Sequence, residues 1–118
     1  MRPESMEHKE AAGGVTYRVF ISSEDIPIRG NAISSGDDAY DEKVCARIES
    51  ELESGNLWAW CLVRVECSAA GLSESDYLGG CSYRDVAEFL TGGYYESMKD
   101  EARAGLESAV ERAQLSLS

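Results

Sequence analysis

The chain has 118 residues, 43% of them hydrophobic, and sets 22 Asp and Glu against 11 Lys and Arg for a formal charge of −11. That length and apolar content suit one domain with a single core and exclude wholesale disorder, while a surface of this sign repels nucleic acid and attracts basic protein surfaces. No run reaches the roughly 20 apolar residues that span a bilayer, and the opening MRPESMEHKEAAGG is charged where a signal peptide would be apolar, so the expectation is a cytoplasmic protein with no membrane partner.

Residues 1–14 are polar and end in Gly13-Gly14, which reads as a flexible N-terminal arm ahead of a single domain over 15–118. Over 15–22, Val15, Tyr17, Val19 and Ile21 alternate with Thr16, Arg18 and Phe20, the period of a strand. IPIRGNAISSG follows as a loop long enough for recognition, with Pro27 and three turn-tolerant residues, Gly30, Asn31 and Gly36. Ser35 and Asp38 have capping-box spacing and open a helix at Gly36 or Asp37. Tyr40, Val44, Ile48 and Leu52 give that helix an apolar stripe to about Ser54, and Gly55 ends it.

Residues 57–67 predict the central strand, with Leu57, Ala59, Cys61, Val63, Val65 and Cys67 on one face and Trp58, Trp60 and Leu62 on the other. A Gly/Ser turn over 68–75 leads to a shorter strand over 77–82, weakened by Gly79 and Gly80. Ser82 and Asp85 then predict a short helix over 83–90, Thr91-Gly92-Gly93 a break, and residues 94 to about 115 a long amphipathic helix. The expected class is α+β: a three-stranded antiparallel sheet packed with about three helices in the order β-α-β-β-α-α.

Residue chemistry points away from catalysis. Cys45, Cys61, Cys67 and Cys81 lack the short pairs of a zinc site and read as buried reduced thiols, with a disulfide between elements left open in an oxidising compartment. The carboxylates of 36–42 lack the alternation and terminal glutamate of a calcium loop. His8, the one histidine, lies in the expected arm, and neither glycine pair has phosphate-loop spacing. An acid/base pair among the 36–42 carboxylates has no nucleophile or oxyanion donor identifiable from spacing to complete it, and an enzyme with a site around Arg29, Asn31, Asp37 and Asp38 stands as a third reading, which turnover abolished by changing them would support. The reading is a non-enzyme without metal or cofactor.

Residues 37–53 carry seven carboxylates against Lys43 and Arg47, a net of −5 on one helix about 27 Å long. Asp37, Asp38, Asp41 and Glu42 also lie at the positive end of its dipole, which favours acids there whatever the function. The aromatics Trp58, Trp60, Tyr77, Tyr83, Tyr94 and Tyr95 serve as core or as contact surface. Tyr94 and Tyr95 are adjacent on a helix and point in different directions, so one is expected in solvent beside Glu96, Asp100 and Glu101.

The segments IPIRGNAISSGDDAYDEK, LWAWCLVRVE and YLGGCSYRDVAEF, spread over residues 26–89, resemble small acidic proteins encoded by bacteriophages and prophages. That group includes anti-restriction and anti-CRISPR inhibitors, some of which present carboxylates where DNA phosphates would lie. The resemblance implies an inhibitor in the host bacterial cell that binds the basic nucleic-acid-binding surface of a defence complex, such as a CRISPR effector, without binding nucleic acid itself. The residues expected to meet the partner are Asp37, Asp38, Asp41, Glu42, Glu49, Glu53, Glu96 and Asp100. The alternative is a phage accessory or structural protein that associates with itself or another protein through Trp58, the 26–36 loop or the last helix.

Overall fold

Period-two patterning separates the two faces of β2 (Val15–Ser23): Tyr17, Val19 and Ile21 are buried, while Thr16, Arg18 and Phe20 keep partial contact with solvent. In the computed structural model, which describes residues 3–117 with side chains to 114, this strand is one of four. The others are β1 (Ser5–Ala12), β3 (Cys61–Ala69) and β4 (Leu72–Cys81). They lie in the order β1-β2-β3-β4 with every neighbouring pair antiparallel. The sheet therefore has four strands rather than three, and residues 5–12 are an edge strand rather than part of a flexible arm. Gly13 and Gly14, with φ of 61° and 82°, form the two-residue turn that joins β1 to β2, because both central positions of this hairpin need positive φ.

Helix α1 (Asp38–Glu53) starts one residue past Asp37, whose side chain accepts from the Tyr40 amide at 3.1 Å. Asp37 thus takes the capping role expected of Ser35. After it, Leu57–Ala59 form a 3₁₀ turn, so the third strand begins at Cys61 rather than at Leu57. The turn has a packing reason. In a strand Trp58 and Trp60 would share one face, whereas here Trp58 enters the main core and Trp60 a second cluster under α1. β4 is longer than expected because Ala70-Gly71 alone makes the β3–β4 turn. Helix α2 (Val86–Thr91) starts later than Tyr83, capped by Asp85, which accepts from the Glu88 amide at 3.0 Å.

Helix α3 (Tyr94–Leu117) lies against β3 and β4. Val19, Ile21, Val63 and Val65 meet Phe89, Tyr95 and Met98 there, and Tyr17 and Cys67 meet Ala102 and Leu106. Helix α1 instead packs through Ile48, Val44 and Leu52 on Ala59, Trp60, Ile28 and Ala32. The body measures 61 × 29 × 25 Å. The radius of gyration is 17.0 Å, against about 13.5 Å for a compact chain of this length.

Polar contacts tie β1 to the helical layer. Glu7 accepts from the Trp58 indole at 2.7 Å, and Glu10 accepts from Lys99 at 3.0 Å and from the Tyr95 hydroxyl. The ring of His8 stands edge-on to Tyr95. The Tyr95 hydroxyl, then Lys99, holds the Glu10 carboxyl below the usual range. A carboxylate whose folded pKa is depressed stabilises the protein above its unfolded pKa and loses that contribution as pH falls through the folded value. Glu10→Gln is therefore expected to cost about 1 kcal/mol near neutrality, with the gap from wild type closing below about pH 4. Urea titrations at several pH values check this, and a pH-independent difference would contradict it.

Candidate protein-binding surface

The loop before α1 is built to hold that helix. The Trp60 indole donates to the carbonyl of Ile26 at 2.7 Å, and the Asn31 side chain donates to that of Pro27 at 2.8 Å. Arg29 then spans two turns of α1. Its Nε and one terminal nitrogen donate to Glu42 at 2.9 and 2.5 Å, and the other terminal nitrogen meets Glu49 at 2.8 Å. This planar fork holds the Glu42 carboxyl below its usual range and pushes Arg29 further up. Ser35 donates to Asp41 through its hydroxyl at 2.6 Å and through its amide.

These contacts sort the expected contact residues. Asp37 caps the helix, Asp41 pins the loop, and Glu42 and Glu49 are neutralised by Arg29. Asp38 and Glu53 are exposed and form no hydrogen bond or ion pair within the described residues. On α3, Glu96 is paired with Lys99 at 3.1 Å, whereas Asp100 is exposed and makes no such contact. The main packing partner of α1 is the 3₁₀ turn and those of α3 are β3 and β4, so the acids are carried by two separately docked helices.

The aromatics divide in a similar way. Trp58 is 5% and Trp60 3% exposed, which removes Trp58 as a contact surface, while Tyr95 is buried and its neighbour Tyr94 is 56% exposed. All four cysteines are buried and free, and burial pushes the Cys61 thiol up to about 12 and that of Cys81 up to about 11. Among the described residues no group of three or more His, Cys, Asp or Glu is placed to hold a metal ion, and no helix is long and apolar enough to cross a membrane. A cleft of about 350 Å³ between α1 and the start of α2 is lined by Arg47, Glu51, Asn56, Tyr83, Arg84 and Glu88. Its charges balance, and Arg84 is already bound to Glu88 at 2.7 Å.

The sheet face turned away from α3 was not singled out from the sequence. Direct cross-strand partners form a row Met6–Phe20–Arg64–Tyr77 across all four strands, followed by Lys9–Arg18–Glu66–Ser75. The Arg64 guanidinium lies 4.2 Å from the centre of the Phe20 ring, grips Glu4 with two bonds of 2.9 Å, and reaches Glu66 at 3.2 Å. Arg18 meets Glu66 at 3.3 Å. The available signal was the alternation itself, since Arg18, Phe20, Arg64 and Glu66 are the out-of-phase partners of core residues.

Fold and surface together define an acidic α+β domain on a four-stranded antiparallel meander. Compared with protein-family models, curated proteins and solved structures, the chain matches none at a significant level.

Proposed function

We propose that the protein is a non-catalytic phage-type inhibitor that covers the basic nucleic-acid-binding surface of a host defence complex, in the manner of an anti-CRISPR protein, within the bacterial cytoplasm. The observation that carries this reading is unneutralised carboxylate on two helices of an elongated body, with Asp38 and Glu53 on one and Asp100 on the other. Duplex DNA of the same 61 Å length would carry about 36 phosphate charges at one per 1.7 Å. The formal charge of −11 is about a third of that density, so the imitation is local and competes for a few phosphate sites.

The test follows from the sorting of the acids. Reversing Asp37, Asp41 or Glu42 would disturb α1 itself, so the informative variant is Asp38→Lys, Glu53→Lys and Asp100→Lys combined. Tagged wild-type protein is expected to capture a nucleic-acid-binding complex from a bacterial lysate containing CRISPR and restriction complexes, to release it at moderate salt, and to lose it to competing DNA. The triple variant is expected to bind at least about tenfold more weakly while keeping its circular dichroism. Equal capture by the folded variant would remove this surface from recognition.

A further inference from the structure

The uncovered sheet face is self-complementary, and we infer that it joins two copies of this chain face to face about a twofold axis parallel to the strands, between β2 and β3. Such an axis sets every cross-strand row against its own reversal, as an isologous contact requires. The row Met6–Phe20–Arg64–Tyr77 then meets Tyr77–Arg64–Phe20–Met6. Each Met6 thioether faces a Tyr77 ring, a favourable pairing, and the two Phe20–Arg64 stacks, each formed within its own chain, lie against one another. In the next row each Arg18–Glu66 pair, formed within its chain at 3.3 Å, faces the reversed pair of the other copy, so Arg18 stands opposite Glu66 and the four charges alternate.

Charge selects this face over the others for a second copy. It holds three cations, Lys9, Arg18 and Arg64, and two carboxylates, Glu4 and Glu66, in a chain whose totals are 11 and 22. The outer turns of α1 and α3, by contrast, would set carboxylate against carboxylate, with Asp38 and Glu53 on one and Asp100 on the other. Met6 and Tyr77 are 54% and 60% exposed at the two ends of the row, and Met, Tyr, Phe and Arg are the residue types enriched at the centres of protein interfaces. Four strands about 4.8 Å apart and three residue rows about 7 Å apart give a contact of roughly 800 Å² in total, below the range of permanent pairs and in that of weak, transient ones. The dimer is accordingly reversible, with a dissociation constant on the order of tens of micromolar. This inference uses a face that the inhibitor reading does not, so either can fail alone.

Sedimentation equilibrium from about 1 to about 200 µM tests it. The wild-type mass is expected to climb from 12.9 kDa toward twice that value. Tyr77→Glu, at an exposed position, is expected to hold the chain monomeric throughout. Arg18→Glu and Glu66→Arg, each shown to be folded by circular dichroism, are expected to be monomeric alone and to dimerise when mixed, because the twofold then pairs unlike charges. A wild type that stays monomeric overturns the inference and leaves the face to a foreign protein. Dimerisation of the Tyr77→Glu chain at wild-type strength overturns it too, as does a mixture that gains nothing over its components.

Discussion

Deleting residues 1–12 is expected to abolish cooperative folding, where removal of a flexible arm would leave the melting temperature unchanged. The cut takes away the whole β1 ladder and exposes the long apolar strand β2 as a sheet edge. It also strips two buried groups of their partner, the Trp58 indole of Glu7 and the Tyr95 hydroxyl of Glu10, and leaves Lys99 with Glu96 alone. Each buried polar group left without a partner costs about 1–3 kcal/mol. The sum with the lost ladder rivals the roughly 5–15 kcal/mol that stabilises a whole domain. Thermal melts followed by circular dichroism decide it, and a truncated chain that melts within a few degrees of wild type would mean β1 contributes little to the fold.

Phe89→Ala is expected to destabilise the protein by about 3–5 kcal/mol, the range for emptying a buried phenylalanine site. Phe89 is fully buried and is the hub of an aromatic cluster. It stacks on Trp58 with centroids 5.5 Å apart and meets Tyr83 at 5.4 Å and Tyr95 at 5.8 Å. Those rings belong to the 3₁₀ turn, the segment after β4, and α3, so one side chain joins three parts of the chain. Helix α2 has six residues, too few to persist by itself, and it depends on this contact. Urea unfolding measures the cost. A loss below about 1 kcal/mol would show that the site collapses freely around the missing ring.

The helices and the inner sheet face were legible in the sequence because burial there imposes a strict period. Val19, Ile21, Val63 and Val65 alternate without a break, and Ile48 and Met98 fall on helical stripes. β1 was hidden for the opposite reason. In SMEHKEAA the inward residues include Glu7, His8 and Glu10, whose partners lie on distant elements, so no hydrophobic pattern marks the strand. The 3₁₀ turn was hidden because Trp58 and Trp60 fit a strand equally well until two separate clusters claim them. In the candidate site, the carboxylates were visible but their commitments were not. Asp37 as a cap follows from local spacing, whereas the hold of Arg29 on Glu42 and Glu49 depends on a loop folding back over the helix.

The connectivity of the meander also bears on how the chain finds its fold. β1 with β2 and β3 with β4 are hairpins closed by two-residue turns, structures that form in roughly 1–10 µs. The β2–β3 ladder is different, since it cannot zip until residues 24–60 have been looped out and closed, and the entropy of that closure is spent before any of its contacts form. Assembly is thus divided into two fast local halves and one slow joining step. The loop and α1, tied down by Trp60 and Arg29, make the segment to be closed shorter in effect than its 37 residues, and they carry the α1 half of the acidic surface, so changes to that half also bear on how the sheet is completed.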